Sequence, residues 1–232
     1  MKLDKSRKII SRMFDDIAPK YDFLNHLFTL NRDKKWRREI IKYLKTLDRN
    51  YEYILDIASG TGDLTLELLK LNPSKIFSCD ISEKMLEVQK KKIKSDKLKI
   101  DIADVESLPY ENNSIDLATI GFGVRNFENL DKSIKEIYRV LNKNGILVVL
   151  EMFARKKKKD DMFDVYFNKL MPRVGNKVSK SSNAYNYLFN SVNSFVKADD
   201  FIKLGEESGF KCIYSKNNFL NIVHTVYFQK FL

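Results

Sequence analysis

The sequence predicts an α/β fold: a mostly parallel sheet with helices on both faces, an antiparallel last strand and an N-terminal helical cap. Three observations carry this prediction. From Tyr51 onward, short apolar strands alternate with helical stretches of about 10–15 residues, the pattern of βαβ units. The first strand ends in a glycine turn that opens a helix. The last two apolar runs are joined by a turn too short for a parallel crossover.

Residues 5–47 read as helical. Ile9, Met13, Ile17 and Tyr21 share one face at i, i+4 spacing, and Pro19 is expected to end or kink this helix near Ala18. A second helix is expected from Asp33, as N-cap, through Trp36, Ile40 and Leu44. Strands follow at 53–57, 75–80, 98–102, 115–121 and 145–152, with helices at 63–71, 82–94 (capped by Ser82) and 130–141. Residues 153–195 carry helical patterns without a strand and are expected to form an insertion over the active site. A helix at 199–208 stops at Gly209, and strands 210–216 and 220–229 meet at the turn Lys216-Asn217-Asn218. The expectation is one domain over 1–232, with a helical cap at 1–47.

Composition narrows the function classes. With 232 residues, 44% hydrophobic, and only 8 Gly and 4 Pro, the chain can bury a sizeable core. Cys79 and Cys212 share no motif spacing, and His26 and His224 are the only histidines, so no metal site is expected. The run Ile146–Leu150 is too short to span a bilayer, and no signal peptide is visible, so a cytoplasmic location is expected. The net charge of +11 suits an acidic partner such as nucleic acid or an anionic membrane face, and a lysine-rich composition accounts for it equally well. Arg155–Lys159 reads as either a solvated loop or a phospholipid-facing patch. No RNA-binding module is visible, and a nucleic-acid partner is not expected.

The chemistry concentrates at the ends of the strands. In Leu55–Asp63, Gly60 and Gly62 let a ligand approach the backbone, and the following helix N-terminus favours a negative group. Thr65 stands where a dinucleotide site has its third glycine, which argues against NAD. Asp80 ends the second strand, 18 residues beyond Gly62, where a carboxylate can accept from both hydroxyls of an adenosine ribose. At the end of the third strand, Asp104 can accept from an adenine amino group while the backbone of Val105 meets the ring edge. A loop-capping role for Asp104 and a helix cap for Asp80 are the plainer readings of each residue alone.

These blocks, Leu55–Asp63, Asp80, Asp104–Tyr110 and Ile115-Asp116, resemble the successive motifs of class I S-adenosylmethionine (SAM)-dependent methyltransferases, with a Rossmann-like sheet. Further stretches resemble one family, the ubiquinone/menaquinone biosynthesis C-methyltransferases. They are Phe14–Asp22, Asn25, Trp36-Arg37, Gly121–Asn126, Tyr138–Leu141, Leu150-Glu151, Tyr185–Leu188, Ser191 and Phe195, so the likeness covers nearly the whole chain. Two departures stand out. Gly121 occupies a position usually held by Ser, and Phe219–His224 replaces a Gly-Gly-Ile run.

The resemblance implies SAM contacts from Thr61, Asp80, Asp104, Val105 and Gly121, alongside Gly60 and Gly62, with no metal. It implies methylation of a polyprenyl quinol ring, a demethylmenaquinol in preference to a methoxy-benzoquinol, and a peripheral membrane contact. Such a reaction needs stabilisation of a phenolate. Arg125 and Asn126, after the fourth strand, are the candidates for that oxygen, with Tyr21 as a further donor or cover. A structural ion pair for Arg125, a helix-capping role for Asn126 and an interface role for Tyr21 are the alternatives. Methylation of another small molecule or of RNA, and a non-catalytic SAM-binding subunit, stay open at this point, as do monomer and homodimer.

Overall fold

The computed structural model describes residues 4–154, 187 and 190–231. The Arg155–Lys159 cluster and most of the expected 153–195 insertion lie outside the described residues. The N-terminal helices are α1 (Arg7–Ile17), α2 (Tyr21–Phe28) and α3 (Arg32–Thr46). The alternating part follows as β1 (Tyr53–Ile57), α4 (Asp63–Leu68), β2 (Lys75–Asp80), α5 (Glu83–Lys92), β3 (Leu98–Ile102), β4 (Ile115–Gly121), α6 (Leu130–Val140) and β5 (Leu141–Met152). After the undescribed stretch come α7 (Ala198–Glu207), β6 (Phe210–Phe219) and β7 (Val223–Lys230).

The seven strands run in the order β3-β2-β1-β4-β5-β7-β6, and β7 alone is antiparallel to its neighbours. The order reverses between β1 and β4, which places a crevice at the C-terminal ends of those strands. Successive strand residues point to opposite faces, so the sheet divides its side chains between two cores. Leu55, Ile57, Leu147 and Val149 pack with α6 and α7 on one face. Ile54, Ile146, Val148 and Leu150 pack with Trp36, Ile40 and Leu44 of α3 and with α4 on the other.

α3 contributes Trp36, Ile40 and Leu44 to the core beneath one sheet face. Three local expectations are corrected. Asp33 is not the N-cap of α3; it lies buried in the first turn, held by Thr29, His26 and Arg37. The last hairpin turns at Leu220-Asn221, both with positive φ, instead of at 216–218, which stay in β6. Two positive-φ central residues give a tight turn whose twist matches the flanking strands. Asn129, not Asn126, caps α6, its side chain accepting from the Lys132 N–H at 3.0 Å. Pro19 does interrupt the first helix, in a 3₁₀ turn at Ala18–Lys20, and Ser82 caps α5 as expected.

Candidate active site

A cleft of about 740 Å³ opens at the C-terminal ends of the strands. Its floor comes from four strand ends: Ala58 and Gly60 after β1, Asp80 and Ile81 at β2, Ala103–Glu106 after β3, and Gly121–Gly123 after β4. Ala58 and Phe122 both hold positive φ although neither is glycine. Residues held in that region persist only where surrounding structure enforces it, and they gather at functional sites. Beside them, a Cβ built on Gly123 would lie 2.6 Å from that of Ala58, so glycine is required where the ends of β1 and β4 meet.

Asp80 is the anchor of the floor. Its carboxylate accepts the Gly60 N–H at 2.8 Å and the Ser82 N–H at 2.9 Å. Burial pushes its pKa up, against the backbone donors that pull it down. Each carboxylate oxygen has about two acceptor sites, so each retains one for a ligand hydroxyl. Above Gly60 a side chain would meet open space, its nearest neighbour being the Tyr21 ring at 4.0 Å. That open cradle and the buried carboxylate fit the nucleoside end of SAM. Asp104 lines the cleft too, while one of its oxygens accepts the Glu106 N–H at 2.9 Å, so loop cap and cleft wall are the same residue. Val105 and Gly121 complete the expected floor.

Two expected cofactor residues sit elsewhere. Thr61 lines a smaller adjoining cavity of about 330 Å³ and gives its hydroxyl to Asp22 of α2. Gly62 lines neither cavity. Its φ of +84° begins α4, and a Cβ there would lie 2.6 Å from the Gln89 side chain, so this glycine serves helix packing.

The roof comes from the N-terminal helices. Ser11 donates to the Ile81 carbonyl at 3.0 Å, and Asp15 accepts from the Ser82 hydroxyl at 2.6 Å, fixing α1 across the β2–α5 turn. Lys5, Ile10, Phe14 and Tyr21 thereby line the cleft. Burial first of all raises the Tyr21 pKa to about 12, so its phenol stays protonated and can only donate or accept a hydrogen bond near neutral pH.

Arg125 does not line the cleft. Its Nη1 donates to Glu151 at 2.6 Å and to the Phe122 carbonyl at 2.7 Å, with both side chains almost wholly buried. Burial opposes its charge most strongly, but Glu151, Tyr21 and Tyr187 together raise the pKa, so the guanidinium remains cationic. Among the described residues its Nε has no hydrogen-bond partner. Asn126 does line the cleft, and its Oδ1 accepts the Tyr187 hydroxyl at 3.0 Å.

Sequence reasoning missed the polar group beneath the turn. Asp56, fully buried, accepts from Thr65 at 2.5 Å and Thr119 at 2.7 Å, and burial lifts its pKa to about 6. It also missed the cluster of His26, Asp33 and Asp63, whose ligand-type atoms lie within 4.8 Å of one another. Arg37 supplies the positive charge there, paired with Asp33 and 3.7 Å from Asp63, which identifies an ion-pair cluster. Neither group has a sequence spacing that announces it, because the partners come from different elements.

The family profile of the ubiE/COQ5 methyltransferase family matches residues 1–227. The chain belongs to this family. A demethylmenaquinone methyltransferase of Chlorobaculum tepidum is 40% identical over 210 residues, 89% of this chain and 86% of that protein. A ubiquinone/menaquinone biosynthesis C-methyltransferase of Rickettsia prowazekii is 36% identical over 229 residues, 93% and 91% of the two chains. A SAM-dependent methyltransferase structure from Aquifex aeolicus superposes with a TM-score of 0.62 at 14% identity, covering 90% of this chain and 97% of that one. The fold is therefore that of class I methyltransferases, and the chain is a SAM-dependent methyltransferase. Among the described residues no helix is long and apolar enough to cross a membrane.

Proposed function

We propose that this methyltransferase transfers the SAM methyl group to a ring carbon of a demethylmenaquinol. The observation that carries the reading is that one cleft holds both the Asp80–Gly60 cradle, which suits a nucleoside, and the side chains of Tyr21, Phe122, Asn126 and Phe127, which suit an aromatic ring. The names of the relatives in Chlorobaculum tepidum and Bacteroides fragilis support demethylmenaquinol over a methoxy-benzoquinol.

Bound SAM supplies an electrophilic methyl on a sulfonium. Gly60, Asp80, Asp104, Val105 and Gly121 would hold its nucleoside, and Thr61 would contribute from the adjoining cavity. The α1–α2 roof excludes water, which strengthens every electrostatic interaction inside the cleft. Loss of the quinol hydroxyl proton drives electron density onto the adjacent ring carbon, and that carbon later releases its own proton to restore aromaticity. Tyr21 and Asn126 orient the ring oxygens. Arg125, paired with Glu151 and donating to the Phe122 carbonyl, holds the turn that carries Asn126.

The polyprenyl tail of such a substrate resides in lipid, and we extend the proposal to peripheral membrane binding. Phe23, Leu30 and Leu220 are exposed apolar side chains, and the net charge is +11. Flotation with anionic vesicles should recover the protein in the lipid fraction. The main test is the quinone profile of cells lacking the protein. Accumulation of demethylmenaquinone is expected, and an unchanged profile would defeat the reading.

A further inference from the structure

The second half of the cleft needs a positive charge to hold a phenolate, and the obvious one is already spent. Arg125 and Glu151 neutralise each other at 2.6 Å, and the guanidinium lies behind the wall. Among the described residues around the cleft, the acidic side chains are Asp80, Asp104, Glu106 and Glu128, and the cations are Lys5 and Arg7. Arg7 is exposed at the outer start of α1, whereas Lys5 is half-buried. Among the described residues Lys5 has no carboxylate within ion-pair distance, and its ammonium lies 5.7 Å from the centre of the Phe195 ring. It is close enough to the Arg125–Glu151 pair to feel both charges.

We propose that Lys5 is a catalytic residue whose ammonium faces the reacting hydroxyl oxygen and stabilises the phenolate formed there. The inference rests on the ring-hydroxyl chemistry above and adds the charge that chemistry lacks. The hydroxyl proton leaves first; the carbon–sulfur bond to the methyl then breaks as the carbon–carbon bond forms. The methylated ring carbon loses its own proton and the oxygen takes one proton back, so one proton is released in all while Lys5 stays protonated throughout. Among the described residues, the charges of Arg125 in the turn after β4 and Glu151 of β5 reach it, and the Phe195 ring lies nearby. Burial, then Arg125, push its pKa down while Glu151 pulls it up, so an ammonium placed here loses its proton at lower pH than a surface lysine.

The test uses 4-nitro-1-naphthol, whose absorption reports its ionisation, bound to the protein with S-adenosylhomocysteine. Wild-type protein should lower the apparent pKa of the bound naphthol by about one unit. Lys5→Arg should keep that shift and Lys5→Met should abolish it. In turnover, Lys5→Met should lower kcat on the order of a hundredfold with KM for SAM unchanged, and Lys5→Arg should restore most of it. Retention of the shift in Lys5→Met, or failure of Lys5→Arg alongside it, overturns the assignment of Lys5 alone. A wild-type protein that binds no naphthol overturns the phenolic reading itself.

Discussion

The two halves of the cleft are built from different material. The cofactor half is mostly backbone: strand ends, glycines and N–H groups converging on one carboxylate, Asp80. The substrate half is mostly side chains brought from distant segments, with Lys5 and Tyr21 from the roof, Asn126 meeting Tyr187, and a buried Arg125–Glu151 pair beneath. Backbone sites tolerate side-chain change because little depends on any one residue's chemistry. A wall of buried charges does not, because each charge is stable only while its partner remains.

The largest effect should therefore come from Glu151. Its carboxylate accepts from the Arg125 side chain, the Arg125 N–H and the Met152 N–H. Glu151→Ala leaves Arg125 buried and uncompensated, and chemical denaturation should show a loss of about 3–5 kcal/mol. The double variant Arg125→Met/Glu151→Leu should recover much of that stability while remaining impaired in turnover. Recovery of neither would mean the pair is not the organising contact of that wall.

Asp56 sharpens the contrast, since it is a buried carboxyl in the cofactor half with two hydroxyl partners and no direct cation. Its folded pKa of about 6 lies above the ordinary 3.8, so the fold prefers the protonated form. The contribution is complete below about pH 4 and falls by about 3 kcal/mol as pH rises through 6. The stability difference between wild type and Asp56→Asn should shift by about 2 kcal/mol of this between pH 4 and 6. A difference independent of pH would show that the carboxyl is ionised throughout.

How much was readable beforehand follows the same division. The strand positions, the mostly parallel sheet and the glycine turn were legible, and Asp80 and Asp104 could be placed at one edge, because a parallel sheet delivers successive strand ends there and spacing along the chain fixes which residues arrive. Lys5 and Glu151 as elements of the site were not, because 146 residues separate them and only tertiary packing brings them together. Arg125 was found by its position after β4, yet its orientation depends on Glu151, which no local pattern reveals. The turn at Leu220-Asn221 escaped for a simpler reason: leucine is a poor guide to positive φ, so the Asn-rich stretch before it drew the prediction.

Asp80→Asn tests the cofactor half at its one indispensable side chain. An amide keeps one acceptor oxygen but presents an N–H₂ to a backbone donor, so one of the two N–H bonds is lost and ligand hydroxyls lose an acceptor. SAM affinity by calorimetry should fall roughly ten- to a hundredfold, matching hydrogen bonds to a charged group. An affinity within twofold of wild type would place the cofactor elsewhere.

The smallest effect is expected at Gly121, and its sign is the informative part. Its φ is not in the left-handed region, and a Cβ there would sit 3.3 Å from the Leu64 Cδ2, a contact that a methyl shift of a few tenths of an ångström relieves. Gly121→Ser should therefore fold with a stability change within about 0.5 kcal/mol. The new hydroxyl would stand on the cleft floor, where one added hydrogen bond is worth about 1 kcal/mol, so SAM should bind a few-fold more tightly. The same change at Gly62 makes the control: φ is +84° and the added Cβ would lie 2.6 Å from Gln89, so Gly62→Ser should destabilise the protein. If Gly121→Ser instead weakens SAM binding while the fold holds, the floor beneath the cofactor is filled by the ligand itself, and the backbone of the cofactor half is as closely fitted as the side chains opposite.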